Sequence, residues 1–231
     1  MYLYETHLHT SPVSACGKAS VRETLEYYKS AGYAGVFLTE HFIDSNFDRA
    51  ARELPYADKI RHYFSSYENG KAIGDEIGLS VFPGIELGHH WTHFLVYGIG
   101  PEWCLAHPGM DRLSKSELLK MIMEEEALIV HAHPFRDIAD DLIHLYPHHV
   151  HGVEIYNASR TDSENALAEQ YCKSYGLIPM AGSDNHRAGA KKVFGGVMTD
   201  RPIADIRDFI AMAKNGELKP FKRDENGVRG L

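Results

Sequence analysis

Two histidines near the start of the chain, His7 and His9, are spaced so that they could bind one metal ion. They stand on either side of Leu8. In an extended strand, residues i and i+2 project from the same face, so both imidazoles would point in one direction. Paired imidazoles are common metal ligands. A chain with 15 histidines also produces such pairs by coincidence, so the pair alone leaves both interpretations open.

Further residues of metal-binding type follow other predicted strands. The apolar runs 35–39, 79–85, 128–130 and 177–181 each lead within three residues to a histidine, glutamate or aspartate. Such runs are typical of parallel strands buried on both faces. In βα barrels, chemistry gathers at the C-terminal ends of the strands, so these side chains are predicted to share one site. The residues at or just past a predicted strand end are His7, His9, His41, Glu86, His133, Asp184 and His186.

Predicted helices lie between these strands. Capping boxes at Ser20–Glu23, Ser114–Glu117 and Thr161–Glu164 each indicate a helix start. Pro55 is well placed to begin a longer helix that runs to about Ile77. Strands that alternate with helices imply βαβ units and a parallel sheet, and about seven such units favour a closed barrel over an open sheet.

Composition limits the classes of protein that the chain could be. The 231 residues fit one domain, 1–231, with a charged and peripheral tail from about residue 219. The formal charge of -8 argues against a nucleic-acid or membrane surface, and no apolar run is long enough to cross a membrane. We find no signal-peptide pattern. Three widely spaced cysteines, Cys16, Cys104 and Cys172, suit a reducing cytoplasm better than a disulfide framework.

Five motifs, in this order, resemble those of the PHP superfamily, which is named after polymerase and histidinol phosphatase. The resemblance covers residues 1 to about 200. It implies an α/β fold, a distorted seven-stranded (β/α)7 TIM-like barrel, with two or three divalent metal ions that most often serve phosphoester hydrolysis. The motifs are Thr6-His7-Leu8-His9-Thr10, Thr39-Glu40-His41, Gly84-Ile85-Glu86, His133-Pro134 and Gly182-Ser183-Asp184-Asn185-His186.

The resemblance also divides the ligands among three metals. The first metal would be bound by His7 and His9, completed by Glu86 and Asp184. Glu86 would bridge to the second metal. The remaining ligands would be His93 for the second metal, His41 and His186 for the third, and His133, which matches a further histidine of the family pattern. Mixed imidazole and carboxylate ligation suits zinc, manganese or iron.

The chain departs from the family pattern at two places. Glu40 stands where the second motif usually has aspartate. The loop between Ser11 and Ser20 lacks the histidine or aspartate that the family often supplies to the third metal, and Cys16 is the only soft ligand in range. A thiolate there would favour zinc or iron, whereas an inert buried cysteine is the alternative.

Several neighbouring residues have less specific interpretations. His89 and His90 could replace His93, but a solvated turn also explains them. His131 is two residues from His133 and is predicted to orient a ligand or to lie buried in the strand. Glu154 is predicted to support the site.

The resemblance implies that Glu86 bridges two metals that hold a water or hydroxide between them. The metals would lower the pKa of this water, and the hydroxide would attack phosphorus in line. A guanidinium suits the substrate phosphate, so Arg136 and Arg187 are candidates, with Arg160 weaker; solvated surface arginines are the alternative. The predicted catalytic residues are Glu86, Asp184, Arg136 and Arg187.

The predicted function is hydrolysis of a small phosphorylated metabolite, a phosphomonoester such as histidinol phosphate, by a metal-bridged hydroxide in the cytoplasm. Phosphotyrosine hydrolysis is another option in the same superfamily, and a nucleotide phosphodiesterase or exonuclease is an alternative, although no stable nucleic-acid partner is expected. Two further classes are a non-catalytic metal-binding module and an amidohydrolase. Related amidohydrolases commonly bridge their metals with a carboxylated lysine, and no lysine stands at the end of one of the strands predicted above.

Overall fold

The structure, a computed structural model, describes residues 1–42, 46–89, 92–136, 143–189 and 192–231. Over these ranges the chain forms eleven strands and six α-helices. The strands are β1 (Tyr2–Leu8), β2 (Gly35–Leu38), β3 (Ser80–Pro83), β4 (Ile85–His89), β5 (Thr92–Tyr97), β6 (Leu128–Ala132), β7 (Gly152–Asn157), β8 (Ile178–Gly182), β9 (Phe194–Thr199), β10 (Lys219–Asp224) and β11 (Gly227–Gly230). The helices are α1 (Val21–Ser30), α2 (Tyr56–Ile77), α3 (Pro101–Ala106), α4 (Lys115–Met123), α5 (Asp162–Tyr175) and α6 (Ile206–Lys214).

The strands form two sheets, each of which is mixed. The six-stranded sheet has the order β11-β10-β9-β1-β2-β3, in which β1, β2 and β3 are parallel and β9, β10 and β11 are added antiparallel. The five-stranded sheet has the order β4-β5-β6-β7-β8. There β6, β7 and β8 are parallel, whereas β5 is antiparallel to both of its neighbours.

The predicted seven-stranded (β/α)7 barrel is therefore wrong. Among the described residues the two sheets do not close into a barrel, and six helices are too few for seven βα units. The prediction took the run at 79–85 as a single strand of a parallel sheet. Only Gly84 separates β3 from β4, and β4 pairs with β5 as an antiparallel neighbour. A crossover to a parallel strand needs a dozen or more residues, and these connections are too short for one.

Two isolated bridges join the sheets where their strand ends meet. One pairs His41, just after β2, with Glu86 in β4, and the other pairs Leu8 with Asn185 beyond β8. The hydroxyl of Thr6 also donates to the carbonyl of Ala181, at 2.6 Å. The C-terminal ends of β1, β2 and β8 and the start of β4 are thereby brought to one place.

The helix starts follow the sequence prediction closely. All three capping boxes are present, at the N-termini of α1, α4 and α5. Helix α2 begins after Pro55 and ends at Gly78, whose left-handed conformation (φ 71°) is typical of a helix C-terminus. Gly70 and Gly74 lie inside α2, where an added Cβ would be 2.7 Å from Leu38 Cδ1 and 2.4 Å from the Leu79 carbonyl oxygen, respectively. These glycines allow the helix to pack directly on the six-stranded sheet.

Aromatic residues fill the space between the sheets, at the end away from the histidines. Phe209 of α6 packs against Phe37 of β2 and Tyr97 of β5, with ring centroids 4.2 and 5.1 Å apart. All three side chains are fully buried. The Tyr97 hydroxyl donates to the carbonyl of Thr6 at 2.8 Å, which ties this core to the strand that carries the histidine pair.

The C-terminal residues are not the peripheral tail that was predicted. Lys219–Asp224 forms β10, which pairs with β9 over five residue pairs. Phe221 has no exposed surface and belongs to the core around Leu25 and Tyr28. The charged residues of this segment suggested an exposed tail, whereas the segment forms a strand that packs on the core through one buried aromatic side chain, Phe221.

A search of the described ranges finds no helix whose length and apolar character would suit it to spanning a membrane.

Candidate metal centre

Six histidines and two carboxylates gather where the two sheets meet. His7 lies in β1 and His9 follows that strand, while His41 lies three residues beyond β2. Glu86 is near the start of β4, not at the end of a strand as the sequence indicated. His93 is near the start of β5, and because β5 is antiparallel its start lies at the same edge. The remaining members, His133, Asp184 and His186, follow the ends of β6 and β8.

Glu86 is at the centre of this cluster. Its side chain is 1% exposed, and five imidazole nitrogens surround its carboxylate. Oε2 accepts no hydrogen bond within the described part of the chain, although two of these nitrogens are near it. The distances are 2.9 Å from His93 Nδ1, 3.2 Å from His7 Nε2 and 3.3 Å from His133 Nε2 to Oε1, and 2.8 Å from His41 Nδ1 and 3.4 Å from His9 Nε2 to Oε2.

Asp184 lies beside the histidine pair. Its Oδ1 is 3.7 Å from His7 Nε2 and 3.5 Å from His9 Nε2. Asp184 and His133 both have a positive φ, 49° and 27°, and they are the only non-glycine residues of the described chain that do. Such conformations cost energy and cluster at functional sites, so local backbone preference is overridden at two of the predicted ligands.

The donor atoms form four groups of three, each compact enough to bind an ion. Within each group the ligand atoms lie within 4.8 Å of one another. His7 Nε2 and His9 Nε2 face each other at 3.2 Å. Convergent imidazole nitrogens around an unpartnered carboxylate oxygen fit divalent cations that accept mixed nitrogen and oxygen ligands. The groups are His7, His9 and Asp184; His7, Glu86 and His133; His41, Glu86 and His93; and His9, His41 and His186.

Burial and mutual charge set the protonation of these groups. Burial alone would raise the pKa of Glu86 and of Asp184, but the surrounding imidazoles hold both pKa values well below their usual range. Burial would lower the pKa of His7, but Glu154, Asp184 and Glu86 raise it well above 6.5. For His9, burial and the neighbouring imidazoles lower the pKa well below 6.5. The carboxylates are thus ionised at neutral pH and His9 is neutral, as metal ligands need to be.

Glu154 of β7 orients two of the predicted ligands. Its Oε1 lies 2.9 Å from His7 Nδ1, and its Oε2 accepts from the backbone amide of His133 at 2.9 Å. Asn157 donates to the same oxygen at 2.9 Å. A carboxylate behind an imidazole fixes the ring and directs the opposite nitrogen toward the metal. The supporting role predicted for Glu154 therefore has a geometric basis.

Glu40, at the first departure from the family pattern, also supports the cluster indirectly, through hydrogen bonds to residues next to the predicted ligands. Its carboxylate accepts hydrogen bonds from the amide and hydroxyl of Thr10 and from the hydroxyl of Ser14, the last at 2.5 Å. Ser14 Oγ in turn accepts from the His41 amide at 3.0 Å and lies 3.3 Å from His9 Nδ1. Glu40 thus positions two predicted ligands through Ser14.

Cys16, at the second departure, is half-buried. Burial raises the pKa of its thiol, but the imidazoles of His186 and His41 outweigh burial and lower it to about 7. The rings of His9 and His186 are tilted relative to each other, with centroids 4.5 Å apart.

Comparisons with known proteins show a likeness of fold. No protein-family model and no curated protein matches the sequence. The chain is similar to a solved two-domain protein from Bacteroides vulgatus that contains a predicted PHP-like metal-dependent phosphoesterase. The TM-score is 0.69 at 15% identity, over 95% of this chain and 64% of that one. The chain thus spans a little under two thirds of that relative's length.

Two further structures match at lower similarity. One is described as a putative metal-dependent phosphoesterase from Bifidobacterium adolescentis (TM-score 0.51, 12% identity). The other is described as an amidohydrolase from Chromobacterium violaceum with bound sulfate and no metal (TM-score 0.51, 14% identity). Each match covers 80% of this chain and 88% of the other. The chain has a PHP-like fold. At sequence identities this low, the likeness shows the fold alone.

The three predicted arginines have different environments. Arg187 is exposed beside His186, and its side chain lines an open cavity together with Lys18 and Glu23. Arg136 is half-buried, and its amide donates to the carbonyl of His133 at 3.0 Å. Arg160 is also half-buried, and its Nε is buried with no hydrogen-bond partner in the described ranges.

His131 is not part of the cluster. It is 1% exposed, its ring stacks on Phe94 at 5.0 Å, and neither ring nitrogen has a hydrogen-bond partner among the described residues. Burial lowers its pKa to about 3, so it is a neutral core residue. The positive φ of His133 ends the strand geometry that would place both rings on one face. Of the proposed substitutes for His93, His90 and the side chain of His89 lie outside the described structure.

Sequence reasoning missed Glu5, a fully buried carboxylate beneath the cluster. Its Oε1 accepts from the amides of His7 and Ser183 at 2.9 and 2.8 Å, and its Oε2 accepts from the Tyr28 hydroxyl at 2.8 Å. Glu5 thus links β1 to the loop that carries Asp184. Its spacing was the available signal, because an acidic residue two positions before His7 shares that residue's face of the strand.

Proposed function

We propose that this protein is a metal-dependent hydrolase that cleaves small phosphomonoesters. The observation that carries the proposal is the arrangement around Glu86, where one buried carboxylate lies within 3.4 Å of five imidazole nitrogens. Burying this many titratable groups costs free energy of folding unless a bound cation compensates for their charge. The fold shared with proteins described as metal-dependent phosphoesterases supports the same class of chemistry.

Glu86, Asp184 and the six histidines would hold two or three divalent cations, with zinc, manganese and iron all compatible with the donors. Cations bound here would lower the pKa of a water molecule and stabilise charge on the phosphoryl group. Glu86 would bridge adjacent cations, since its two oxygens face different histidines. Asp184 would complete the site on the side of His7 and His9. The ionised state of both carboxylates at neutral pH supports these roles.

The substrate phosphate would be oriented by basic side chains at the rim. We propose Arg187 and Arg136 for this role, as the sequence indicated, and add Lys18, because it lines the same cavity as Arg187. Arg160 gains support from its buried and unpartnered Nε, which is a donor available to a ligand oxygen. A planar guanidinium suits a phosphate through paired hydrogen bonds.

The preferred substrate is a small phosphorylated metabolite, with histidinol phosphate one candidate. The net charge of -8 disfavours a long nucleic acid, although a mononucleotide fits the same chemistry. We expect the protein in the cytoplasm, because its three cysteines are unpaired.

A second candidate is amidohydrolase chemistry, which is favoured by the likeness to the protein described as an amidohydrolase. Against it, the described part of the chain buries no lysine that could be carboxylated to bridge two metals. A non-catalytic metal-binding role would tolerate degraded ligands, whereas all eight predicted ligands converge here.

The test is elemental analysis of the purified protein, combined with phosphate release from a panel of phosphomonoesters and mononucleotides and with an amide panel in parallel. We expect bound transition metal and phosphate release that Glu86→Gln abolishes, while the exposed Glu126→Gln retains both. Absence of bound metal and of phosphate release after zinc, manganese or iron is added would refute the proposal. Amide cleavage without phosphate release would favour the second candidate.

A further inference from the structure

Two predicted ligands, Asp184 and His186, lie on one short loop, and the residue between them joins that loop to the histidine pair. Asn185 is 2% exposed. Its amide donates to the carbonyl of His7 at 3.4 Å, and its carbonyl accepts from the amide of His9 at 2.9 Å. The backbone of the loop after β8 is thereby fixed along the end of β1.

The side chain of Asn185 continues this connection to helix α1. Its Oδ1 accepts from the amide of Arg187 at 3.1 Å, and its Nδ2 donates to the hydroxyl of Tyr28 at 3.2 Å. Tyr28 belongs to the buried face of α1 and is fully buried itself. A tyrosine hydroxyl that accepts one hydrogen bond still has its own proton to donate.

That proton is donated to Glu5, the buried carboxylate beneath the cluster. The distance from the Tyr28 hydroxyl to Glu5 Oε2 is 2.8 Å, while Oε1 accepts from the amides of His7 and Ser183. Tyr28 is thus connected to the strand of His7 through Glu5 and to the ligand loop through Asn185. Loss of its hydroxyl would leave two buried polar atoms without this partner, which costs free energy.

The backbone of Asp184 needs such support. Its φ of 49° lies in the left-handed region, which is unfavourable for a residue other than glycine. Strained conformations of this kind persist only where the surrounding structure over-determines them. Here the preceding residue, Ser183, is bonded to Glu5, and the following residue, Asn185, is bonded to Tyr28. The strained ligand is therefore held from both sides.

We propose that Tyr28 is a positioning residue of the metal centre: its hydroxyl holds the loop of Asp184 and His186 in the conformation that directs both side chains into the cluster. The proposal rests on the metal cluster of the proposed function, but not on the reaction or the substrate. Tyr28 acts through Glu5 and Asn185 and is not itself a ligand.

The test compares two tyrosine-to-phenylalanine variants of the full chain. Tyr28→Phe removes the hydroxyl and keeps the ring that packs against Tyr33 and Phe194. Tyr4→Phe is the matched control, because Tyr4 is buried in a different core cluster and its hydroxyl accepts from the Ile203 amide at 2.9 Å. Each variant loses buried hydrogen bonding, so both should lose stability.

We expect Tyr28→Phe to bind zinc about 10-fold more weakly at one site, as loss of a supporting partner does. The visible absorption of the cobalt-loaded protein, which reports the arrangement of the ligands, should change as well. Tyr4→Phe should match the wild type in both measurements. Wild-type zinc affinity and cobalt absorption in Tyr28→Phe would overturn the proposal. Equal changes in Tyr4→Phe would also overturn it, because the effect would then follow from stability.

Asn185→Ala tests the same connection from the loop. Combined with Tyr28→Phe, it should weaken zinc binding by less than the product of the two single fold-changes, because both variants break one shared hydrogen bond. A loss equal to that product overturns the proposal, as does wild-type affinity in Asn185→Ala should Tyr28→Phe fail to fold. In each case, metal-dependent phosphate release would leave the proposed function standing. Failure of the wild type to bind any metal would remove both.

Discussion

Glu154 Oε1 lies 2.9 Å from His7 Nδ1, and both side chains are fully buried. The same carboxylate accepts from the amide of His133 through its other oxygen. One acidic residue thereby fixes a ligand of β1 and a ligand that follows β6, without itself belonging to any of the four donor groups.

The first prediction concerns this carboxylate. Glu154→Gln should lower the affinity for metal by about 10–100-fold, because it removes the charge that orients and polarises the His7 ring. The measurement is titration of the metal-free protein by calorimetry. Glu169→Gln is the matched control, since Glu169 forms an exposed ion pair with Lys173 on α5. Equal affinities in the two variants would show that Glu154 has no part in metal binding.

The second prediction concerns pH. A bound cation must displace protons from its imidazoles, and the pKa values of His7 and His186 are raised above 6.5 by neighbouring carboxylates and, for His186, by Cys16. Affinity should therefore be greatest at pH values above the raised pKa of His7 and should fall as the pH drops through it. Each displaced proton should weaken binding by about tenfold per pH unit.

Glu86 and Asp184 should contribute nothing to this slope, because their pKa values are well below their usual range and both are already ionised. In Glu154→Gln the fall in metal affinity should occur at lower pH, because Glu154 is the strongest of the charges that raise the His7 pKa. Affinity that does not change between pH 6 and pH 8 would contradict the prediction.

The third prediction concerns Gly182, at the end of β8. A Cβ on this residue would lie 2.6 Å from Glu154 Oε1 and 2.6 Å from His7 Cβ. Gly182→Ala should therefore displace the Glu154–His7 pair and reduce both thermal stability and metal affinity. Gly230→Ala is the control, because its Cβ would meet only the flexible end of Met198, at 3.2 Å. If Gly182→Ala melts and binds metal as Gly230→Ala does, the close packing is not needed for the site.

Local patterns in the sequence predicted the starts of α1, α2, α4 and α5 and the residues of the candidate site, but not how the strands pair. The capping boxes at Ser20, Ser114 and Thr161 depend on neighbours three residues apart, so they could be read directly. The direction of β5 depends on its pairing with β4 and β6, which an apolar run such as Phe94–Val96 does not encode. His93 could be predicted as a site residue although the direction of its strand was not predicted. Because β5 is antiparallel, its start lies at the edge where the parallel strands end, and His93 is near that start.

Supporting residues were harder to predict than ligands. Ser14 acts through the chain Glu40–Ser14–His9, whose members come from two segments that approach only in the folded protein. No spacing rule links Glu5 to Ser183, which are 178 residues apart. Such contacts follow from the fold and could be predicted only once the strand order was known.

The fourth prediction concerns the C-terminal strand. Phe221→Ala should lower the free energy of unfolding by about 3–5 kcal/mol, because it removes a fully buried aromatic ring from the core. Leu231→Ala, at a half-exposed residue of the same segment, should change it by less than about 0.5 kcal/mol. Denaturant unfolding measures both. Similar values for the two variants would restore the original prediction of a peripheral tail.

The fifth prediction concerns removal of the metal. The folded chain gathers Glu86, Asp184 and six imidazoles, and it holds Asp184 and His133 at positive φ, so ions that bind only the folded state should stabilise it. At a free metal concentration 1,000 times the dissociation constant, the gain is about 4.1 kcal/mol per site. For a chain of this size, this corresponds to a rise of about 8–16 °C in Tm.

A chelator should therefore lower the Tm of the wild type by roughly that amount, and added zinc should restore it. Glu86→Gln provides the comparison, because it removes the bridging carboxylate and should reduce the difference between the metal-loaded and metal-free proteins. Calorimetric scans of both proteins with chelator and with zinc make the measurement. A wild-type Tm that is unaffected by the chelator, in a sample whose metal is shown to be removed, would mean that the cluster is stable without its ions.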